Sequence, residues 1–114
     1  MKIARLIKIV FFLSLFFTIS SCEKSNINKH PEFSGTWTAM QSSVRYEIIV
    51  EYNGKATYEK IDSNTKVSFR GNLIVKDDVL KIGFKEFIIN SYPSQSTSDN
   101  IWRMILDDIE YEKK

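Results

Sequence analysis

From Phe33 to its end the chain reads as an all-β protein, a small antiparallel up-and-down barrel of about eight short strands. Three observations predict this. Apolar residues recur with a period of two, turn residues interrupt the runs every 8–12 positions, and no window keeps a helical period for ten residues.

Gly35 to Met40 (GTWTAM) is the first strand. Arg45 to Tyr52 alternates, with Tyr46, Ile48, Val50 and Tyr52 on one face and Arg45, Glu47 and Glu51 on the other. Asn53-Gly54 then predicts a type I′ hairpin, whose two central residues need positive φ. The returning strand is Lys55 to Ile61, followed by a turn at Asp62-Ser63-Asn64. Lys66 to Val75 places Val67, Phe69, Gly71, Leu73 and Val75 on one face, and a glycine in mid-strand marks a bulge or bend. Asp77-Asp78 turns the chain into Val79–Phe84, with Leu80, Ile82 and Phe84 facing in. Glu86 to Tyr92 follows, then a polar loop over Pro93–Asn100. Ile101–Leu106 carries Trp102, Met104 and Leu106 on one face, and Asp107-Asp108 turns into a last strand, Ile109–Glu112.

Ahead of this domain stands a different kind of segment. Lys2, Arg5 and Lys8 precede an apolar run from Ile9 to Ile19, 11 residues long. A hydrocarbon core of roughly 30 Å needs about 20 helical residues, so the run is too short to span and fits the apolar core of a secretory signal. It ends in Ile19-Ser20-Ser21-Cys22, and Cys22 is the only cysteine. This junction resembles the lipobox of bacterial lipoproteins, with Ile19 where leucine is commonest and Ser21 where glycine or alanine is. The resemblance implies cleavage between Ser21 and Cys22 and acylation of Cys22, which becomes the lipid-anchored N-terminus. Residues 1–21 are then a signal peptide, 22–32 the acylated cysteine with a polar, flexible tether, and 33–114 the β domain.

The charge balance follows from that division. The chain has 16 basic and 14 acidic residues, and removing the three leader cations leaves 13 basic residues, a net charge of −1. No concentrated basic face supports nucleic-acid binding. The 93 residues from Cys22 contain no second cysteine for a disulfide, so aromatic and β-branched packing must supply the core.

Gly35-Thr36-Trp37 resembles the opening of lipocalin-type barrels. With Asn53-Gly54, Leu80–Ile89 and Trp102–Tyr111, the domain resembles the small lipocalin-like domains of Bacteroidetes envelope lipoproteins. That resemblance implies a fold and a compartment, the cell envelope and foremost the outer membrane, without an activity. About six or seven residues per strand gives roughly 20–23 Å of strand, a short cylinder better filled by its aromatics than hollow.

Little in the chain points to catalysis. His30 is the only histidine and lies in the tether, so no rigid nucleophile–base pair forms around it. Transition metals want several His or Cys ligands, which are lacking. Asp77-Asp78 and Asp107-Asp108 fit turns better than calcium sites, and Glu47, Glu51, Glu59 and Glu86 read as solvated strand acids. Trp37 and Trp102 read as core anchors. The candidate binding loop is the polar stretch carrying Tyr92, Pro93 and Gln95. The expected function is that of a non-enzymatic, cofactor-free interaction module, held to the membrane by its N-terminal lipid and binding an envelope protein or glycan. Two alternatives are a carrier of a small apolar ligand inside the barrel and an inhibitor of a secreted hydrolase.

Overall fold

A computed structural model of the chain describes residues 24–114. Eight strands run β1 (Gly35–Gln41), β2 (Val44–Val50), β3 (Lys55–Ile61), β4 (Lys66–Lys76), β5 (Val79–Ile82), β6 (Lys85–Gln95), β7 (Trp102–Leu106) and β8 (Ile109–Lys113). Each pairs antiparallel with the next, and β8 returns to β1 through Trp37↔Lys113 and Thr38↔Glu112, closing an up-and-down barrel.

The sharp hairpins follow turn chemistry. Ser42-Ser43, Asp77-Asp78 and Asp107-Asp108 each join two strands with both residues at positive φ, the I′ geometry whose twist matches the strands. Short polar side chains tolerate that region better than branched ones. The expected I′ turn at Asn53-Gly54 is different: only Gly54 has positive φ (88°), and a longer link forms. There Gly54 N donates to Glu51 O and Lys55 N to the Asn53 side chain.

Two strands are long because they change partner midway. Residues 66–72 of β4 pair with β3, and 73–76 pair with β5. Gly71 marks the changeover. A Cβ there would lie 2.5 Å from Gly83 Cα, so the two backbones meet where a side chain would not fit. β6 pairs with β5 up to Ile88 and with β7 from Ile89, with register shifts on either side of Ser91. It runs on to Gln95, so Pro93 lies within the strand rather than in the expected loop. It sits at the irregularity between Ser91 and Ser94, where a residue without an N–H is tolerated.

The inward face is filled. Trp37, Ile48, Leu73, Leu80, Ile82, Met104, Leu106 and Tyr111 are essentially fully buried, and no charged residue is buried among the described residues. Two expected core aromatics are outside: Phe84 is 97% exposed and Tyr52 91%. Each lies past the last ladder pair of its strand (Ile82↔Lys85 and Val50↔Ala56), where the turn swings its side chain outward.

Residues 25–32, read from sequence as part of the tether, pack with Phe33 against the barrel as two 3-10 turns, Ile27–Lys29 and Pro31–Phe33. β3 begins opposite Asn72, so the edge of β4 beyond it has no strand neighbour. Gly54 O takes the Leu73 N–H, Ser25 Oγ donates to Leu73 O, and the Asn26 amide pairs with both Val75 N (2.9 Å) and Val75 O (2.6 Å). Ile27 and Phe33 are buried behind these contacts, and Phe33 O accepts the Trp37 indole N–H at 2.9 Å. The polar composition of the segment hid this docking, since serine and asparagine side chains here do the work of a missing strand.

Candidate functional site at the open rim

The docked segment makes the two ends of the barrel unlike. At the plugged end lie the 51–54 link, the Asp77-Asp78 turn, the 96–101 loop, the N-terminal segment and Lys113. The Lys113 Nζ sits 4.9 Å and 5.0 Å from the ring centres of Trp37 and Trp102 and donates to Glu32 O. Burial lowers its pKa. At the other end lie the turns at 42–43, 62–65, 83–84 and 107–108.

This second end is built by the alternation of β2, β3, β6 and β8. Tyr46 pairs with Lys60, Lys60 with Val67, and Tyr58 with Phe69, so these side chains share the inward face. Ile82 pairs with Lys85, and Met104 with Tyr111, which places Lys85 and Tyr111 inward as well. Tyr46 and Tyr111 meet edge to face at 6.4 Å, and Tyr58 packs against Phe87 at 5.0 Å and Phe69 at 6.2 Å. The Lys60 ammonium lies 6.0 Å from the Tyr46 ring centre, and that of Lys85 5.9 Å from Tyr58 and 5.1 Å from Phe87.

The three phenols belong to one electrostatic neighbourhood. Burial pushes Tyr111 well above the usual phenol range, and Tyr58, Tyr46 and Asp107 add to it. Tyr58 is raised by burial first, then by Tyr46 and Asp107. The rings are at least nine-tenths buried, yet none of the three hydroxyls has a hydrogen-bond partner among the described residues. Asp107 itself accepts the Ile88 N–H at 2.8 Å. Lys60 and Lys85 have no carboxylate partner, whereas Arg45, Lys66 and Arg103 do.

The sequence-derived candidates lie elsewhere. Tyr92 donates to Asp78 at 2.7 Å, a bond that raises its pKa, and its ring meets Phe33 edge to face. Gln95 donates to Asn100 O and closes the 96–101 loop, and Pro93 lies in β6 between them. Tyr92, Pro93 and Gln95 therefore sit on the plugged side in structural contacts, and are not brought together with the rim tyrosines. Arg103 holds Asp99 at 2.6 Å and approaches Glu112 and Glu110, and its hydrogen bonds lower the Asp99 pKa. His30 lies beside Glu32 and Phe33 on the docked segment. Ser21 and Cys22 lie outside the described residues.

Sequence reading missed Lys60 and Lys85. The signal was present: Ala56, Tyr58 and Lys60 share one parity on β3, so a lysine on the aromatic face of a strand marks where that face reaches water. Among the described residues no group of three or more His, Cys, Asp or Glu is arranged to hold a metal ion. Open grooves on the outside of the barrel carry mixed charge, one lined by Glu51, Lys55, Arg70 and Asn72 and another by Arg45, Glu110, Glu112 and Lys114. No protein-family model matches the chain, and no curated protein or solved structure gives a significant match.

Proposed function

We propose that the chain is a lipid-anchored envelope lipoprotein of the lipocalin-like, Bacteroidetes type, whose barrel is a non-enzymatic binding module. Its partner meets the open rim. The observation that carries this reading is the rim itself, where the Lys60 and Lys85 ammonium groups lie over buried aromatic rings with no carboxylate partner. The leader and the Ile19-Ser20-Ser21-Cys22 junction support the anchor. The described chain enters at the plugged end, so a lipid on Cys22 leaves the rim on the far side of the barrel.

The filled interior favours the rim over an internal apolar cargo. The short, self-bonded 96–101 loop gives little reach for an inhibitor of a hydrolase. The test is expression of the full chain and of Cys22→Ala in a bacterium fed an alkyne-bearing palmitate. The parent is expected to take up label, lose residues 1–21 and fractionate with the outer membrane. A Cys22→Ala protein that still matured and stayed membrane-bound without acyl chains would sink the anchor.

A further inference from the structure

We propose that the plugged end of the barrel is the membrane-facing surface of the protein, with Tyr52 seated in the headgroup layer of the bilayer. The proposal deepens the lipid-anchor reading and rests on acylation of Cys22. Only Glu23 and Lys24 separate Cys22 from Ser25, and Ser25 is already fixed to the barrel through Leu73 O. Three Cα–Cα steps of about 3.8 Å each reach at most about 11 Å. The polar layer on each side of a bilayer is itself roughly 5–8 Å deep. An acylated Cys22 therefore holds Ser25 at the headgroups or within a few ångströms of them. Residues 22–32, had they been a free tether, would have reached roughly 33–36 Å. The docked segment removes that reach and leaves the barrel lying on the lipid.

The surroundings of Ser25 suit that position. A Cβ on Gly54 would overlap the Ser25 side chain, so the 51–54 link and the entering chain are in contact. Tyr52 stands two residues from Gly54, at most roughly 7 Å along the chain. It is 91% exposed and makes no hydrogen bond or ring contact among the described residues. Tyrosine joins an apolar ring to a polar tip, the combination that favours the boundary between acyl chains and headgroups. The exposed charges around it are of both signs, Lys24, Lys29 and Lys76 with Glu51, Asp77 and Asp78, so the contact needs no anionic lipid. A second protein would need a broad packed patch to hold it, whereas the neighbours of Tyr52 in the link, Glu51 and Asn53, are polar and exposed. Phe84 stands in a turn of the opposite end, about a strand length away, and so faces away from the lipid.

The experiment reads the depth of one thiol-attached dye in the acylated protein. Cys22 is the only cysteine and acylation consumes its thiol, so Tyr52→Cys and Phe84→Cys each offer one free thiol to a nitrobenzoxadiazole dye. The full chains are expressed in a bacterium, purified in detergent and checked for acyl chains by mass. They are then reconstituted into phosphatidylcholine vesicles, with or without a phosphatidylcholine bearing a nitroxide on its headgroup. The dye on Tyr52→Cys is expected to shift its emission to the blue on reconstitution and to lose most of it to the nitroxide lipid. The dye on Phe84→Cys is expected to keep its aqueous emission in both. About ten Gly/Ser residues inserted between Lys24 and Ser25 add an r.m.s. reach of roughly 16–19 Å, and are expected to relieve most of the quenching in Tyr52→Cys. Equal quenching at the two positions, no quenching in Tyr52→Cys, or quenching unchanged by the insertion overturns the proposal. A blue shift without quenching by the nitroxide lipid means that protein covers Tyr52, and overturns it too. Protein without acyl chains sinks the anchor and this proposal together, whereas acylated protein with an unquenched dye on Tyr52→Cys sinks this one alone.

Discussion

Asn26 is expected to contribute more to stability than its place in a polar N-terminal segment suggests. Its amide donates to Val75 O at 2.6 Å and accepts from Val75 N at 2.9 Å, on the stretch of β4 that β3 does not reach. Asn26→Ala leaves both Val75 groups without a protein partner. Each half-buried hydrogen bond contributes about 1 kcal/mol net, so the loss is about 2 kcal/mol. In a domain of this size each kcal/mol moves Tm by roughly 4–8 °C, which gives a fall of roughly 8–16 °C. The assay is thermal unfolding by circular dichroism in detergent, together with amide exchange of Val75. That amide is expected to change from slow to fast exchange while Leu80 and Ile82 in β5 stay protected. Asn26→Asp retains the acceptor but sets a carboxylate against Val75 O, and is expected to cost at least as much. A Tm within about 2 °C of the parent, with Val75 still slow, would refute the surrogate-strand argument.

Two further outcomes follow from the same geometry. Gly71→Ala places its Cβ 2.5 Å from Gly83 Cα and 2.6 Å from Gly83 N, backbone atoms that cannot rotate away, so a loss of about 3 kcal/mol is expected in denaturant unfolding; a loss under about 1 kcal/mol would mean that the crossing is looser than described. Tyr111 and Tyr58 hold their protons in the fold more tightly than an unfolded phenol of about 10 does. Their contribution is therefore intact below about pH 10 and lost as pH rises above it, when the unfolded chain gives up protons that the folded one keeps. Stability is expected to fall there by up to about 1.4 kcal/mol per pH unit for each such phenol, and Tyr111→Phe to make the decline shallower. Equal slopes in the parent and Tyr111→Phe would contradict the burial of that hydroxyl.

The strand order was legible because alternation and paired turn residues both act locally. Lys55–Ile61 needs only its own parity and its flanking turns, and the boundaries match. Asp77-Asp78 and Asp107-Asp108 were legible as turns for the same reason. Phe84 and Tyr52 were placed inward because alternation was carried two residues beyond the last ladder pair. The docking of residues 25–33 was not legible, because it depends on how far β3 extends beside β4, a distance set by tertiary register. The strand was ended at Tyr92 because Pro93 reads as a strand breaker. The breaker falls on an irregularity instead, and the strand continues. The rim was half legible: its tyrosines were counted as core, which their rings are, while the lysines on the same face were not weighed.

The two ends of the barrel hold their polar atoms in different ways. In an eight-stranded barrel this short, side chains occupy the interior. One end is closed by Phe33, Trp37 and Lys113, where each polar atom finds a partner: the Trp37 N–H on Phe33 O, and Lys113 on Glu32 O. At the other end phenylalanine would fill the same space as Tyr46, Tyr58 and Tyr111 without the cost of holding a hydroxyl at the edge of an apolar core. Packing therefore accounts for the rings but not for the oxygens. Lysines at inward positions have the same standing, since a methionine of similar length would cover the rings without adding charge. Tyr46→Phe, Lys60→Met and Lys85→Met are therefore expected to leave the barrel as stable in thermal unfolding as before, or more so.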